Sequence, residues 1–278
     1  MCWHRATIVS RRQLSPTVTG LTLRLLQPND KNIFTFTPGN WVDFKPLSNW
    51  KDNNGVKNIG GYSITSIPQS LPQIDLAVKE STHPVAAWVT SNAKPNDIVD
   101  IRVGGTFTYN KTEEYNPSSR IHKNNNLLFI AGGVGINPLF SMIQQWHVDE
   151  TTRGDEMNRK SRAVLLYSGG RVKDLLFLDQ LEKLVKDSPD QLCVVCTTTQ
   201  HSNCNEHKSK LIKREGRIDL ELIKEAVAWL NQYDEADNEK IEAVFLCGPP
   251  GMPESIMEQL VEEKIVQSRN NIHFEKWW

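Results

Sequence analysis

The sequence predicts two domains in series, an antiparallel all-β domain followed by an α/β domain on a doubly wound parallel sheet. Three observations carry this expectation. The length, 278 residues, suits two domains of roughly 100–150 residues each. Residues 1–110 hold short β-branched and apolar stretches separated by turn residues. From residue 127 onward, apolar strand-like runs alternate with helical segments, the pattern of a parallel sheet covered on both faces.

In the first domain, 1–110, strands are predicted at 6–10, 18–26, 41–44, 62–67, 74–79 and 98–103. Between them fall Gln27-Pro28-Asn29-Asp30, Thr37-Pro38-Gly39-Asn40 and Lys94-Pro95-Asn96-Asp97. Many short strands with this punctuation read as a barrel or a sandwich. One helix is predicted over 84–91, where Val85, Trp88 and Val89 recur at helical spacing. A polar linker, 111–126, with Pro117 and Asn124-Asn125-Asn126, separates the domains. The second domain, 127–278, reads as strands at 127–131, 163–167, 192–197, 243–246 and 272–274. Helices are predicted at 138–146, 175–186, 220–230 and 253–263, and polar surface loops at 149–162, 199–214 and 231–239.

Composition excludes several classes. With 32 basic and 33 acidic residues the formal net charge is -1, so no nucleic-acid partner is expected. No apolar run approaches the ~18–20 residues of a membrane span, so no transmembrane segment is expected. Five cysteines, an odd number in a chain this long, argue against a disulfide framework and for an intracellular, reducing compartment. The start, Met1-Cys2-Trp3-His4-Arg5, has neither the apolar core of a secretory signal nor the length of an amphipathic transit peptide.

The chemistry is concentrated in two segments. In the first, Leu127-Leu128-Phe129-Ile130-Ala131 runs into Gly132-Gly133-Val134-Gly135-Ile136-Asn137-Pro138. A buried strand there meets a glycine-rich turn and an apolar helix, with Asn137 placed to cap the helix and Pro138 suited to its first position. The turn lets a phosphate approach main-chain N–H groups, and the helix N-terminus adds donors and partial positive charge. A ligand-free αβ corner is the alternative. The second segment, Val244-Phe245-Leu246-Cys247-Gly248-Pro249-Pro250-Gly251-Met252-Pro253, is another buried strand, ending in a rigid loop before a helix at Pro253. In open parallel sheets ligands gather at the carboxyl ends of the strands, so both loops can face one crevice; standing alone, the second segment reads equally as a structural αβ connection with a buried cysteine. Other features read as bland. Cys193 and Cys196 have zinc-knuckle spacing without a second pair, and His201, Cys204 and His207 lie in a polar loop, so no metal is expected. Arg171, after Tyr167-Ser168-Gly169-Gly170, stands where an adenosine ribose can lie; it either holds a 2′-phosphate or faces solvent.

On these segments the chain resembles the ferredoxin-NADP reductase-like flavoprotein superfamily, whose nucleotide domains carry a Gly-Gly-x-Gly-x-x-Pro turn and a late Cys-Gly-Pro-Pro-x-Met. In the first domain, Gly60-Gly61-Tyr62-Ser63 looks like the Arg-x-Tyr-Ser flavin signature, Ala77-Val78-Lys79 like the following flavin-contacting strand, and Gly104-Gly105-Thr106-Phe107 like the closing turn of the barrel. The resemblance implies an antiparallel Greek-key flavin-type β-barrel ahead of the nicotinamide-nucleotide domain. It implies FAD and NAD(H) or NADP(H) as cofactors, hydride transfer from nicotinamide to flavin, and a separate protein or small molecule as electron acceptor. It implies a mitochondrial setting. Tyr62 would pack on the isoalloxazine, Ser63 would bond near its N5, and Val78 and Lys79 would flank it. Gly132, Gly133, Val134, Gly135, Ile136, Asn137 and Pro138 would receive the pyrophosphate. Cys247, Gly248, Pro249 and Met252 would line the nicotinamide pocket, Ser63 and Cys247 acting catalytically. Trp277 or Trp278 would either cover the flavin or plug an apolar interface. Two departures weaken the flavin side. Gly60 replaces the phosphate-binding arginine, and His83-Pro84-Val85-Ala86 replaces a Gly-x-x-Ser at the flavin pyrophosphate. Flavin is expected to bind weakly, to bind with help from Lys57, Lys79 or Arg102, or not to bind. The alternative is an NAD(P)(H)-binding regulatory or assembly protein without redox turnover.

Overall fold

A computed structural model describes residues 2–26, 33–47, 59–110, 126–152, 161–200, 211–232 and 241–276. The expectations for Lys57, His201, Cys204, His207, Trp277, Trp278 and most of the linker fall outside these residues. The chain divides into two compact units, Met1–Tyr109 with Phe140–Gln145, and Asn110–Leu139 with Trp146–Trp278.

The first unit contains β1 (His4–Ser15), β2 (Val18–Leu25), β3 (Trp41–Pro46), β4 (Gly60–Ser63), β5 (Gln73–Lys79), helix α1 (Pro84–Ser91) and β6 (Ile98–Gly104). The strands form one antiparallel sheet in the order β4-β3-β6-β1-β2-β5. An isolated bridge between Ile64 and Leu76 joins the two edge strands, so the sheet closes on itself. Closure removes the exposed edges that an open six-stranded sheet would present. Alternating residues fill the interior: Ile8, Leu23, Val42, Phe44, Ile74, Leu76, Val99 and Ile101 are buried. Val85, Trp88 and Val89 of α1 join that core, as their helical spacing predicts.

The second unit contains β7 (Asn126–Gly132), both ends of α2 (Ile136–Thr152), β8 (Arg162–Gly169), α3 (Leu178–Asp187), β9 (Leu192–Thr198), β10 (Ile212–Glu215), α4 (Leu220–Asn231), β11 (Ile241–Gly248), α5 (Met252–Glu262) and β12 (Ile272–Lys276). All its strands are parallel, in the order β10-β9-β8-β7-β11-β12. The chain winds outward from β7 to β10, then returns to the other side of β7 at β11. That reversal makes the carboxyl end of β7 the switch point where a crevice opens. On one face, Leu128, Ile130, Val164, Leu166, Val244 and Leu246 pack with residues of α4 and α5. On the other, Phe129 stacks on Phe245 at 5.3 Å between centroids, and Phe245 on His273 at 5.2 Å.

Two differences from the sequence reading have plain causes. Strand β10 lies in a segment expected to be loop. It is an edge strand reading Ile-Lys-Arg-Glu, so it lacks an apolar period, and charged edges of this kind resist further pairing. Helix α2 begins at Ile136, two residues early, because a 3-10 turn over Gly133–Gly135 winds directly into it. Asn137 is therefore a buried first-turn residue and not the cap, and Pro138 follows it where no N–H is required.

Arg162, at the start of β8, is only 6% exposed. It ties the sheet's amino edge to the end of α4, donating to the carbonyls of Trp229 at 2.5 Å, Leu230 at 3.0 Å and Asp190 at 3.1 Å. Its guanidinium lies 4.0 Å from the Trp229 ring centroid. A cation at a helix C-terminus also opposes the helix dipole. Arg162→Ala is expected to destabilise the unit by about 2–4 kcal/mol in chemical denaturation. Arg162→Lys, which lacks the planar fork, should recover less than half of that.

Candidate functional site

The two glycine-bearing loops meet at the carboxyl ends of β7 and β11. Cys247 pairs with Ala131 across these strands. A Cβ on Gly135 would lie 2.2 Å from the Cys247 carbonyl oxygen and 2.8 Å from the Gly248 nitrogen. Backbone stands against backbone there, and only glycine fits. Gly132 and Gly248 serve the side chain of Met252: a Cβ on either would come within 2.5 Å or 2.6 Å of its sulfur. Gly133 is different. Its φ is +55°, it is exposed, and no heavy atom lies within 4 Å of where its Cβ would be. Its empty side faces open space, the condition for a ligand to reach the main chain.

That space is a cavity of about 580 Å³, within the size range of small-molecule sites. Gly132 and Gly133 contribute from the end of β7 and the turn after it, Ser168, Gly169 and Gly170 from the end of β8 and just beyond, and Thr199 from just past β9. Arg217 and Ile218 precede α4. Pro249, Pro250, Gly251 and Met252 follow β11, and Ser255, Ile256 and Gln259 belong to α5. The strand ends are stitched together around it: Thr199 N–H donates to the Gly169 carbonyl at 3.0 Å, Gln200 N–H to Gly170 at 2.9 Å, and Gly216 N–H to Thr198 at 2.7 Å. Arg217 is the one charged side chain among the described lining residues.

The expected nucleotide residues are thus divided. Gly132, Gly133, Pro249 and Met252 line the cavity. Cys247 and Gly248 are fully buried beneath the loop that does so, and Gly135, Ile136, Asn137 and Pro138 are buried in packing, with Val134 half-buried. Arg171 is not on the cavity wall. Its side chain bonds Asp174 at 3.0 Å, three residues on, while Asp174 also accepts the Arg171 N–H at 3.1 Å. Ser168, Thr199, Arg217, Ser255 and Gln259 were not singled out by sequence. The strand ends at Ser168 and Thr199 carried a usable signal, because ligands gather there; Arg217 follows the unforeseen β10. Cys193 and Cys196, three apart in β9, point to opposite faces, and burial pushes the Cys196 thiol up to about 12.

In the first unit, the positions that resemble a flavin site are engaged by the chain itself. Tyr62 does not stand away from the barrel. Its ring packs edge-on to Phe44 at 5.9 Å and lies over Gly60, where a Cβ would be 2.5 Å from the tyrosine oxygen. The hydroxyl is buried with no hydrogen-bond partner among the described residues, and burial raises its pKa. At α1, Pro84 has no N–H, the His83 ring nitrogen accepts from the Val85 N–H at 3.3 Å, and Ala87 N–H donates to the His83 carbonyl at 2.9 Å. Arg102 bonds Asp43 at 2.5 Å and 2.9 Å and sits 4.8 Å from the Trp3 ring centroid. Ser63 and Val78 are buried, and Lys79 is exposed at the end of β5.

A family model described as "Oxidoreductase NAD-binding domain" matches residues 129–258. The chain is 33% identical over 269 residues to oxidoreductase NAD-binding domain-containing protein 1 of Danio rerio, covering 95% of this chain and 88% of that protein. Against the protein of the same name from Homo sapiens it is 34% identical over 272 residues, covering 95% and 76%. Among solved structures it is similar to the flavohem-like FAD/NAD-binding domain of nitric oxide dioxygenase from Vibrio cholerae, with TM-score 0.68, 16% identity and coverage of 99% and 98%. It is also similar to ferredoxin-NADP+ reductase from Plasmodium falciparum, with TM-score 0.66, 18% identity and coverage of 99% and 96%. At these identities the structures establish the two-unit fold.

Gly133 gives a direct test of the cavity. Asparagine and aspartate both tolerate a positive φ, so either replacement keeps the turn. Gly133→Asp places a carboxylate where a pyrophosphate would approach. It is expected to weaken NADH and NADPH binding at least tenfold more than Gly133→Asn, measured by titration calorimetry on folded variants.

Proposed function

Because the chain belongs to the family of oxidoreductase NAD-binding domain-containing protein 1, with a ferredoxin-NADP reductase-like fold, we propose that it is an NAD(P)H-dependent oxidoreductase. On this reading the second unit binds a reduced nicotinamide nucleotide, and electrons leave finally to a separate protein or small molecule. The observation that carries it is the cavity at the carboxyl ends of the parallel strands, with Gly133 open towards it. The Gly132 and Gly133 backbone and the start of α2 suit a pyrophosphate. Pro249 and Met252 suit the flat nicotinamide, with Cys247 and Gly248 setting the loop from beneath.

The barrel does not fit a tightly held FAD. Tyr62 covers Gly60, His83 takes a donor at the start of α1, and Arg102 is committed to Asp43. We therefore assign FAD as an exchangeable partner and not a resident group. A second reading, a nucleotide-binding regulatory or assembly protein without redox turnover, is favoured by the same three contacts. Anaerobic incubation with NADH or NADPH, with and without added FAD, and with ferricyanide as terminal oxidant, separates the two. FAD-dependent loss of nicotinamide absorbance supports the oxidoreductase. Nucleotide binding with no turnover under any condition supports the second reading.

The barrel contacts predict a purified protein with substoichiometric flavin. Gly60→Arg must swing the Tyr62 ring off Phe44, losing about 0.5–1.5 kcal/mol of aromatic contact and lowering the melting temperature. The same change restores a charge-assisted phosphate contact and should tighten FAD about 10- to 150-fold in fluorescence quenching. Unchanged FAD affinity in a folded variant would remove position 60 from the phosphate site.

A further inference from the structure

We propose that Arg217 is the specificity determinant of the cavity, reading a 2′-phosphate on the adenosine ribose so that the site selects NADPH over NADH. This rests on the nucleotide reading of the cavity and adds the identity of the nucleotide.

The first support is the charge inventory of the wall. Sites that prefer the unphosphorylated nucleotide place a carboxylate on the ribose 2′-hydroxyl, and those that prefer the phosphorylated form place an arginine nearby. No Asp or Glu is among the described lining residues, and Arg217 is there. An arginine beside a 2′-phosphate gains paired, charge-assisted hydrogen bonds; beside a 2′-hydroxyl it gains little.

Placement is the second support. Gly216, at φ +118°, donates its N–H to the Thr198 carbonyl, so the chain turns at the end of β10 and delivers Arg217 beside the carboxyl end of β9. Strand β9 stands two strands from β7, about 10 Å at ordinary strand spacing. A pyrophosphate at Gly133 would leave the adenosine half of the nucleotide extending across β8 towards β9. The hydroxyls of Ser168 and Thr199 line that same stretch and supply neutral partners for a phosphate.

Availability is the third. The arginines on either side of this region are committed: Arg171 to Asp174 and Arg214 to Asp219. No described residue forms an ion pair with Arg217, which is exposed on the cavity wall. Its neighbour Asp219 accepts from Leu222 N–H as the cap of α4 and from Arg214.

Titration calorimetry on the full chain tests this with NADPH, NADH, adenosine 2′,5′-bisphosphate and 5′-AMP. Wild-type protein should bind NADPH and the bisphosphate about 10- to 100-fold more tightly than NADH and 5′-AMP. Arg217→Gln should bring NADPH down to the NADH level while leaving NADH within about twofold, the range of a surface change. Arg171→Gln should leave the preference intact. Three results would overturn the proposal while leaving nucleotide binding in place: a wild-type preference for NADH, an Arg217→Gln loss shared equally by NADH and NADPH (a pyrophosphate clamp), or a preference that survives Arg217→Gln. Failure of wild-type protein to bind any of the four overturns the nucleotide reading itself, and this assignment with it.

Discussion

The candidate site depends on one close approach, that of the turn after β7 to the end of β11. The backbone of Gly135 lies so near the Cys247 carbonyl that a Cβ would reach it at 2.2 Å. A displacement there would separate neighbouring parallel strands at their carboxyl ends, because Ala131 and Cys247 are register partners. It would also push the start of α2 away from the sheet. With the approach intact, the 3-10 turn runs without a break into α2, and Gly133 is left at the rim with its empty side outward. The cavity follows from a packing constraint that has no ligand in it.

The four glycines around this point therefore do different jobs, although Gly132, Gly133 and Gly135 form a single sequence motif. Gly135 admits another backbone, Gly132 and Gly248 admit the Met252 side chain, and Gly133 alone admits something from outside. The sequence motif assigns Gly132, Gly133 and Gly135 alike to the pyrophosphate, because it records where side chains are missing and not what fills the vacancy. The fold itself was far more legible. Alternation of strands and helices, turn residues and helical spacing of Val85, Trp88 and Val89 are local signals that the packed core reinforces. What escaped was β10, an edge strand whose charged side chains erase the period on which strand recognition depends.

In the barrel, the letters of the flavin signature survive while their surroundings differ. Tyr62 and Ser63 match the resemblance, but a tyrosine ring goes where it finds contact. With glycine two residues earlier and Phe44 paired opposite that glycine, the ring folds across the gap and covers backbone that would otherwise be bare. His83 behaves similarly: beside Pro84 it meets an uncapped helix start and caps it. Both side chains satisfy the protein locally at positions where the resemblance expects a ligand. A single missing arginine thus changes more than its own contact, since its absence decides where the neighbouring aromatic settles.

The same logic sorts the arginines of the nucleotide domain. Arg171 sits just past the end of a core strand and looked suited to an adenosine phosphate on position alone. Three residues on, Asp174 closes a capping box with it and pairs with the guanidinium. Arg214 is held by Asp219 in the same way. Arg217 follows a glycine turn, faces the cavity and stands among hydroxyls and apolar side chains. Exposed pairs of this kind are worth at most about 1 kcal/mol, so they bias where a guanidinium rests when no ligand is bound. Whether an arginine is available to a nucleotide is accordingly a property of the side chains within a few residues of it, and that is where the difference between Arg171 and Arg217 lies.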